Sequence, residues 1–202
     1  PGREQVDAHA YKGIRAMSSP ASGGTPRITP GSLRTAGPFA WIFSQLAARV
    51  TGTNPPNLFL TMGRSHKLFR GWLRFAGRLM PGGRLPRRDT ELTILRVAHL
   101  RDCDYEFAHH VSLGRRAGVD DAAVARVQQG PSADGWADRE RALLTAVDEL
   151  HETQDLDDAA WAHLREHLDE ARAIEFVLLV GHYEMLATFI GTLRIATDRH
   201  RR

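Results

Sequence analysis

The chain is poor in the residue types that mark a stapled, membrane-bound or nucleic-acid-binding protein. Its 202 residues hold one cysteine, Cys103, so no intramolecular disulfide can form and a disulfide scaffold is excluded. Lysine is nearly absent, with Lys12 and Lys67 alone, and the basic balance comes from arginine. A net charge of +3, with no dense basic run beyond Arg199 to Arg202, argues against a nucleic-acid partner. No segment is expected to reach the roughly 18 to 20 apolar residues that cross a bilayer. The N-terminus lacks the charged, apolar and small-residue succession of a secretory signal, so a cytoplasmic location is expected. Period-two alternation bounded by hairpin turns is missing as well, which leaves no convincing strand.

What is there reads as helix after helix. A hydrophobic share of 42% and a charged share of 25% suit an ordinary globular domain, and the length suits one core. Residues 1–36 contain Pro20, Gly23, Gly24, Pro26, Pro30 and Gly31 and read as a disordered or tag-like segment, with Met17 a candidate natural start. Residues 37–202 read as a single all-α domain. Helices are expected over Phe39–Val50, Leu58–Met62 and His66–Met80, the last with Leu68, Trp72, Phe75 and Leu79 on one stripe. Asp89 is expected to cap the next helix, ending near Arg101. Asp102 should cap another, with Cys103 in its first turn and Gly118 beyond its end. Further helices are expected from Asp120 to Gly130, Asp138 to Thr153, Asp157 to Leu168, and Glu170 to about Ala196, where Gly181 could mark a bend.

The densest chemistry lies between Glu91 and His110. Glu106 and His110 follow Cys103 by three and seven residues. At about 100° per residue, both fall within roughly 60° of Cys103 on one helix face. His109 lies about 120° away from Cys103 on that wheel and is expected outside the group. A thiol, a carboxylate and an imidazole on an otherwise apolar stripe are costly to bury without partners, which makes the stripe a candidate site. The bland alternative is a buried cysteine acting as a small hydrophobe beside a structural ion pair.

At these residues the chain resembles the carboxymuconolactone decarboxylase family, which includes the alkylhydroperoxidase D-like proteins. The family's redox members carry a glutamate, eleven residues, a cysteine, two residues, a second cysteine, three residues and a histidine. Glu91, Cys103, Glu106 and His110 stand at those positions, with Glu106 in place of the second cysteine. The resemblance extends from about Pro56 to Ile195, through L-F-R-G-W-L, R-R-A-G-V and G-H-Y-E-M-L. It implies an alkylhydroperoxidase D-like helical bundle that assembles as a homo-oligomer, a trimer or hexamer, with sites near subunit contacts. It also implies Glu91, Cys103, Glu106 and His110 as catalytic positions. Without a second thiol, the internal disulfide cycle of a two-cysteine peroxidase cannot close.

Three chemistries fit the stripe. Cofactor-free acid/base work is the first, of decarboxylation or isomerisation type, on a small organic, acidic or lactone-like molecule. There His110 would shuttle a proton and Glu106 would orient it or act as a second acid/base group. The second is one-cysteine peroxidase chemistry with an external thiol, in which a helix N-terminus and a charged His110 favour the Cys103 thiolate and Glu106 opposes it. A zinc site is the third. Cys103 and His110 lie about 10 Å apart along one helix, too far to converge on one ion without another helix, so no metal and no cofactor are expected. A non-catalytic helical oligomer binding a hydrophobic ligand stands beside these readings. Tyr105, His182 and Tyr183 are candidate substrate-binding residues. Arg96 and Arg101 are close in sequence to the site. His99 reads as packing, Trp41, Trp72 and Phe75 as core or subunit interface, and His163 with His167 as a solvated face.

Overall fold

The computed structural model describes residues 24–199, and every regular element among them is a helix, as the missing strand pattern predicts. Nine helices are present there: α1 Leu33–Thr51, α2 Asn57–Gly63, α3 His66–Leu79, α4 Arg87–Leu100, α5 Asp104–Arg116, α6 Asp121–Gln129, α7 Asp138–Thr153, α8 Asp158–His167 and α9 Glu170–Leu193. Local signals set most of the boundaries. Asp120, Asp157 and Asp169 accept backbone N–H bonds from Ala123, Ala160 and Arg172 at 2.8, 2.7 and 2.8 Å, each capping the helix it precedes.

Helix α4 is the axis of the domain. From Asp89 to Ala98 every side chain is buried, so it has no solvent face. Its two sides serve two cores. Ile94 and Val97 join α7, α8 and α9 residues such as Leu143, Leu164, Phe176 and Leu179. Leu92, Leu95 and Ala98 join Phe107 and Val111 of α5, Val124 and Val127 of α6, and Trp136. A helix buried all round must satisfy its polar groups internally. Arg96 does so with a two-pronged bond to Asp148 at 2.6 and 2.8 Å and a bond to the Val127 carbonyl at 2.7 Å.

Several expected boundaries shift, each for a physical reason. Helix α1 starts at Leu33 and carries a kink at Gly37, whose φ of 77° is left-handed; Pro38 follows and disfavours a helical residue before it. The expected loose segment 1–36 lies outside the described residues up to position 23. From there the chain is tied down: the Arg27 and Gly31 amides donate to the Leu193 and Leu60 carbonyls at 3.0 and 3.1 Å. Asp89 does not cap α4; Pro86 precedes it, and Asp89 instead receives Arg139 at 2.6 Å. On α3, Phe69 and Leu79 are buried while Leu68 and Phe75 are exposed, so the buried stripe is rotated from the expected one.

The expectation that no segment could span a bilayer needs correction. By length and composition α9 is long and apolar enough to do so. Half of its apolar window is buried against the rest of the protein, the behaviour of a core helix. Its outer face leaves Ile174, Val177, Leu178 and Met185 exposed.

Candidate active site

A three-residue turn, Arg101 to Cys103, folds α5 back along α4. Asp102 takes a left-handed φ of 48°, a conformation Asp adopts more readily than most residues, and Cys103 rather than Asp102 becomes the residue before the helix. This return brings Glu91 of α4 to His110 of α5, with Nδ1 and Oε2 at 2.7 Å. One turn earlier on α5, Glu106 lies 3.4 Å from His110 Nε2, and Arg87 reaches the other oxygen of Glu91 at 2.6 Å. The result is an alternating row of charge, Arg87, Glu91, His110, Glu106. Glu91 is wholly buried, and His110 and Glu106 are nearly so.

Burial is the largest influence on His110 and works against its charged form. Hydrogen bonding to Glu106 and Glu91, together with their charges, outweighs it and raises the pKa to about 9. At neutral pH the ring is therefore a cation with a carboxylate at each nitrogen.

Beside this row opens a cavity of about 310 Å³. Phe43, Phe59, Trp72, Leu113 and Leu186 make its apolar wall, and Tyr105, Glu106, His109, His110, His182 and Tyr183 its polar one. Three buried polar atoms with no hydrogen-bond partner belong to residues lining this cavity: Glu106 Oε1, Trp72 Nε1 and His182 Nδ1. Buried polar atoms are rarely left unpaired, so these three are available to water or a ligand in the hollow. His182 stacks on Trp72 at 5.9 Å, and burial holds its pKa below the ordinary imidazole value. Tyr183 stands edge-on to His110 at 5.2 Å, with only a 4.0 Å contact to Met80 Sδ for its hydroxyl. Burial, then the charges of Glu106 and Glu91, push the Tyr183 phenol well above its usual range.

Cys103 is placed differently from the expected cluster. It is buried and lines a second cavity, of about 460 Å³, with Arg101, Asp104, Thr192 and Arg194. Burial, then the charge of Glu106, push its thiol up to about 12, and the opposing first-turn amides do not offset them. The thiolate that one-cysteine peroxidase chemistry would need is therefore not formed near neutral pH. Of the residues read from the sequence, the structure brings Glu106 and His110 to the first cavity, places Glu91 behind His110, and leaves Cys103 on the second cavity.

Other assignments sharpen in the same way. Tyr105 lines both cavities, but its hydroxyl is committed: it donates to Asp198 at 2.6 Å and accepts from the Leu58 amide at 3.3 Å. His109, set outside the group on the helical wheel, does line the first cavity, held by Asp198 at 2.9 Å. Asp198 gave no local signal, because it sits in an irregular tail 89 residues away from His109. Trp72, read as core or interface, is a cavity wall. Arg101 is tied to Glu184 at 3.3 Å and Thr188 at 2.9 Å, and neither it nor Arg96 lines the first cavity. His99 packs against Phe107 as expected. Among the described residues, the group of metal-ligating side chains that converges lies elsewhere, at Asp138, His163, Glu166 and His167.

With this geometry in view, comparison with known proteins places the fold. Residues 66–149 match the carboxymuconolactone decarboxylase family. The matched stretch contains Glu91, Glu106 and His110 and is narrower than the span expected from the sequence. Among solved structures, the chain is similar to a peroxidase-related protein from Silicibacter sp. TM1040, with TM-score 0.74 at 15% identity, covering 88% of this chain and 95% of that one. It is similar to the alkylhydroperoxidase AhpD core of a peroxidase-related protein from Ralstonia eutropha JMP134, with TM-score 0.73, 19% identity, and 86% and 94% of the two chains covered. A cysteine-to-alanine variant of the debrominase Bmp8, in complex with 2,3,4-tribromopyrrole, aligns with TM-score 0.71 at 19% identity over 89% and 94% of the two chains. A search of curated proteins finds no match. The chain thus has the alkylhydroperoxidase D-like fold, and neighbours at such low identity speak for the fold alone.

Proposed function

We propose that the chain is a cofactor-free acid/base enzyme, of decarboxylation or isomerisation type, acting on a small and largely apolar molecule such as a lactone or an enolisable ketone. The observation that carries this reading is Glu106. Its carboxylate lines the cavity with Oε1 free, while its other oxygen faces a His110 that is charged at neutral pH. Glu106 Oε1 takes or returns the proton. Trp72 Nε1 and the Tyr183 hydroxyl are the donors available to a substrate oxygen on which charge develops. His110 acts electrostatically, since both of its nitrogens face carboxylates. His182 is a neutral imidazole with one nitrogen left for the substrate.

The acidic end of the expected substrate class fits less well. Arg96 and Arg101 are engaged with Asp148 and Glu184, and His110, already between two carboxylates, is the one cation on the cavity wall with a raised pKa. A neutral molecule asks for no further counter-charge. Small apolar heterocycles of the kind held by the debrominase variant are useful binding probes for an aromatic-walled cavity of this size. A cytoplasmic homo-oligomer is part of the same reading.

The test is solvent deuterium exchange at the acidic carbon of neutral lactones and ketones, followed by NMR. Glu106→Gln and His110→Asn should each abolish exchange, by at least about a hundredfold for a lost general base. Cys103→Ser should retain most of it. Loss in Cys103→Ser alone, with peroxide consumed in the presence of an added thiol, would instead select the one-cysteine peroxidase.

A further inference from the structure

Away from the cavity, the end of α8 and the start of α7 bring two imidazoles and two carboxylates together. His163 and His167 are four residues apart, so they share one face of α8. Their Nε2 atoms lie 3.4 and 3.1 Å from the two oxygens of Asp138, one oxygen each. Glu166 is the fourth donor residue, and one ligand atom from each of the four residues falls within 4.8 Å of the others. The face is open enough to admit an ion: Asp138 is largely exposed and both histidines partly so.

We propose that Asp138, His163 and His167, with Glu166 as fourth donor, bind one divalent transition-metal ion of the zinc class between α7 and α8. The donor set is the first reason. Two imidazoles and two carboxylates suit zinc, copper or nickel and not magnesium, which prefers oxygen. Spacing is the second. Donors about 2.05 Å from a tetrahedral zinc stand about 3.3 Å from one another, and the four donor atoms here, one per residue and within 4.8 Å of one another, reach that spacing by small side-chain rotations. Charge is the third, since two carboxylates balance a divalent ion. Local restraint is the fourth: Arg139 donates to the His167 carbonyl at 2.5 Å and Arg165 to the Leu168 carbonyl at 2.7 Å, fixing the last turn of α8. The nearby guanidinium groups are thereby occupied, Arg139 also with Asp89. An ion here cross-links the two helices and stabilises the fold by mass action.

The experiment uses the full, tag-free chain stripped with chelator and titrated with zinc chloride in a calorimeter. One ion should bind per chain with micromolar affinity and raise the melting temperature. Cobalt should give the visible bands of a tetrahedral nitrogen and oxygen site, and magnesium should give no signal. H163A/H167A, checked for helicity by circular dichroism, should bind zinc at least tenfold more weakly, a difference of about 1.4 kcal/mol. Glu106→Gln should bind zinc as the unsubstituted chain does, which separates this site from the cavity. Absence of zinc binding, or binding unchanged in H163A/H167A, would overturn the proposal.

Discussion

At the scale of single residues, the site is defined by how three buried charges are held against one another. His110 is kept as a cation by Glu91 and Glu106, so its proton is linked to folding. Its folded pKa of about 9 lies above the ordinary 6.5. A raised value means that the stabilisation is fully present below about 6.5 and fades as pH rises through about 9. The melting temperature should therefore drop across that window, and the rate should share an alkaline limb near its upper end. Glu91→Gln removes one counter-charge and should move both effects to lower pH. Following the His110 ring protons by NMR in the two proteins checks the assignment; a titration unchanged by Glu91→Gln would show that Glu91 does not hold that charge. Cys103 illustrates the opposite case. The spacing of the stripe places it on the correct helix face, but a cap residue sits behind the first turn, and its side chain opens toward α9 rather than toward the cavity.

At the scale of elements, what was legible in the sequence was whatever rests on local chemistry. Asp120 and Asp157 precede apolar periodic runs and cap as they should, and Asp169, not singled out beforehand, caps α9 in the same way. Asp120→Ala ought to cost about 1 kcal/mol, the ordinary loss for an N-cap side chain, and chemical denaturation measures it directly. A midpoint unmoved by the substitution would mean that the Ala123 amide finds another acceptor. Asp89 and Asp102 have the same composition signal and do not cap, because tertiary partners and a tight turn take precedence. One is drawn to Arg139, and the other adopts the left-handed backbone that lets α5 return. The same limit applies to the site. Glu106 and His110 share one helix and could be paired by counting. The contact from Glu91 to His110 was reached only through the family's spacing, and that from Asp198 to His109 and Tyr105 not at all. Both depend on where separate segments dock. The orientation of α3, which turns Trp72 into a cavity wall and Leu68 out to solvent, depends on docking in the same way.

At the scale of the whole molecule, α9 carries two faces with different tasks. Its inner side supplies His182 and Tyr183 to the cavity and Glu184 to Arg101 and His151, at 3.3 and 2.7 Å. The outer side presents Ile174, Val177, Leu178 and Met185, recurring at helical spacing and exposed. A contiguous apolar strip of this kind calls for a covering surface. A bilayer would have to accept the buried half as well, with Glu175, His182 and Glu184, and would forfeit the packing of α9 on α4; each charged side chain at mid-membrane costs about 2.5 to 3.5 kcal/mol on an insertion scale. A second copy of the chain asks for none of this, since it covers only the outer face and leaves the inner one on the cavity. The expected outcome is a multimer by light scattering after size exclusion, with I174E/L178E shifting to a smaller mass while its helicity is retained. A wild-type chain that runs as a monomer, or that sediments with neutral lipid vesicles, would refute self-association through this face. Because α9 is also a wall of the cavity, loss of a second copy from its outer face should loosen that wall, and the variant should lose turnover alongside its mass.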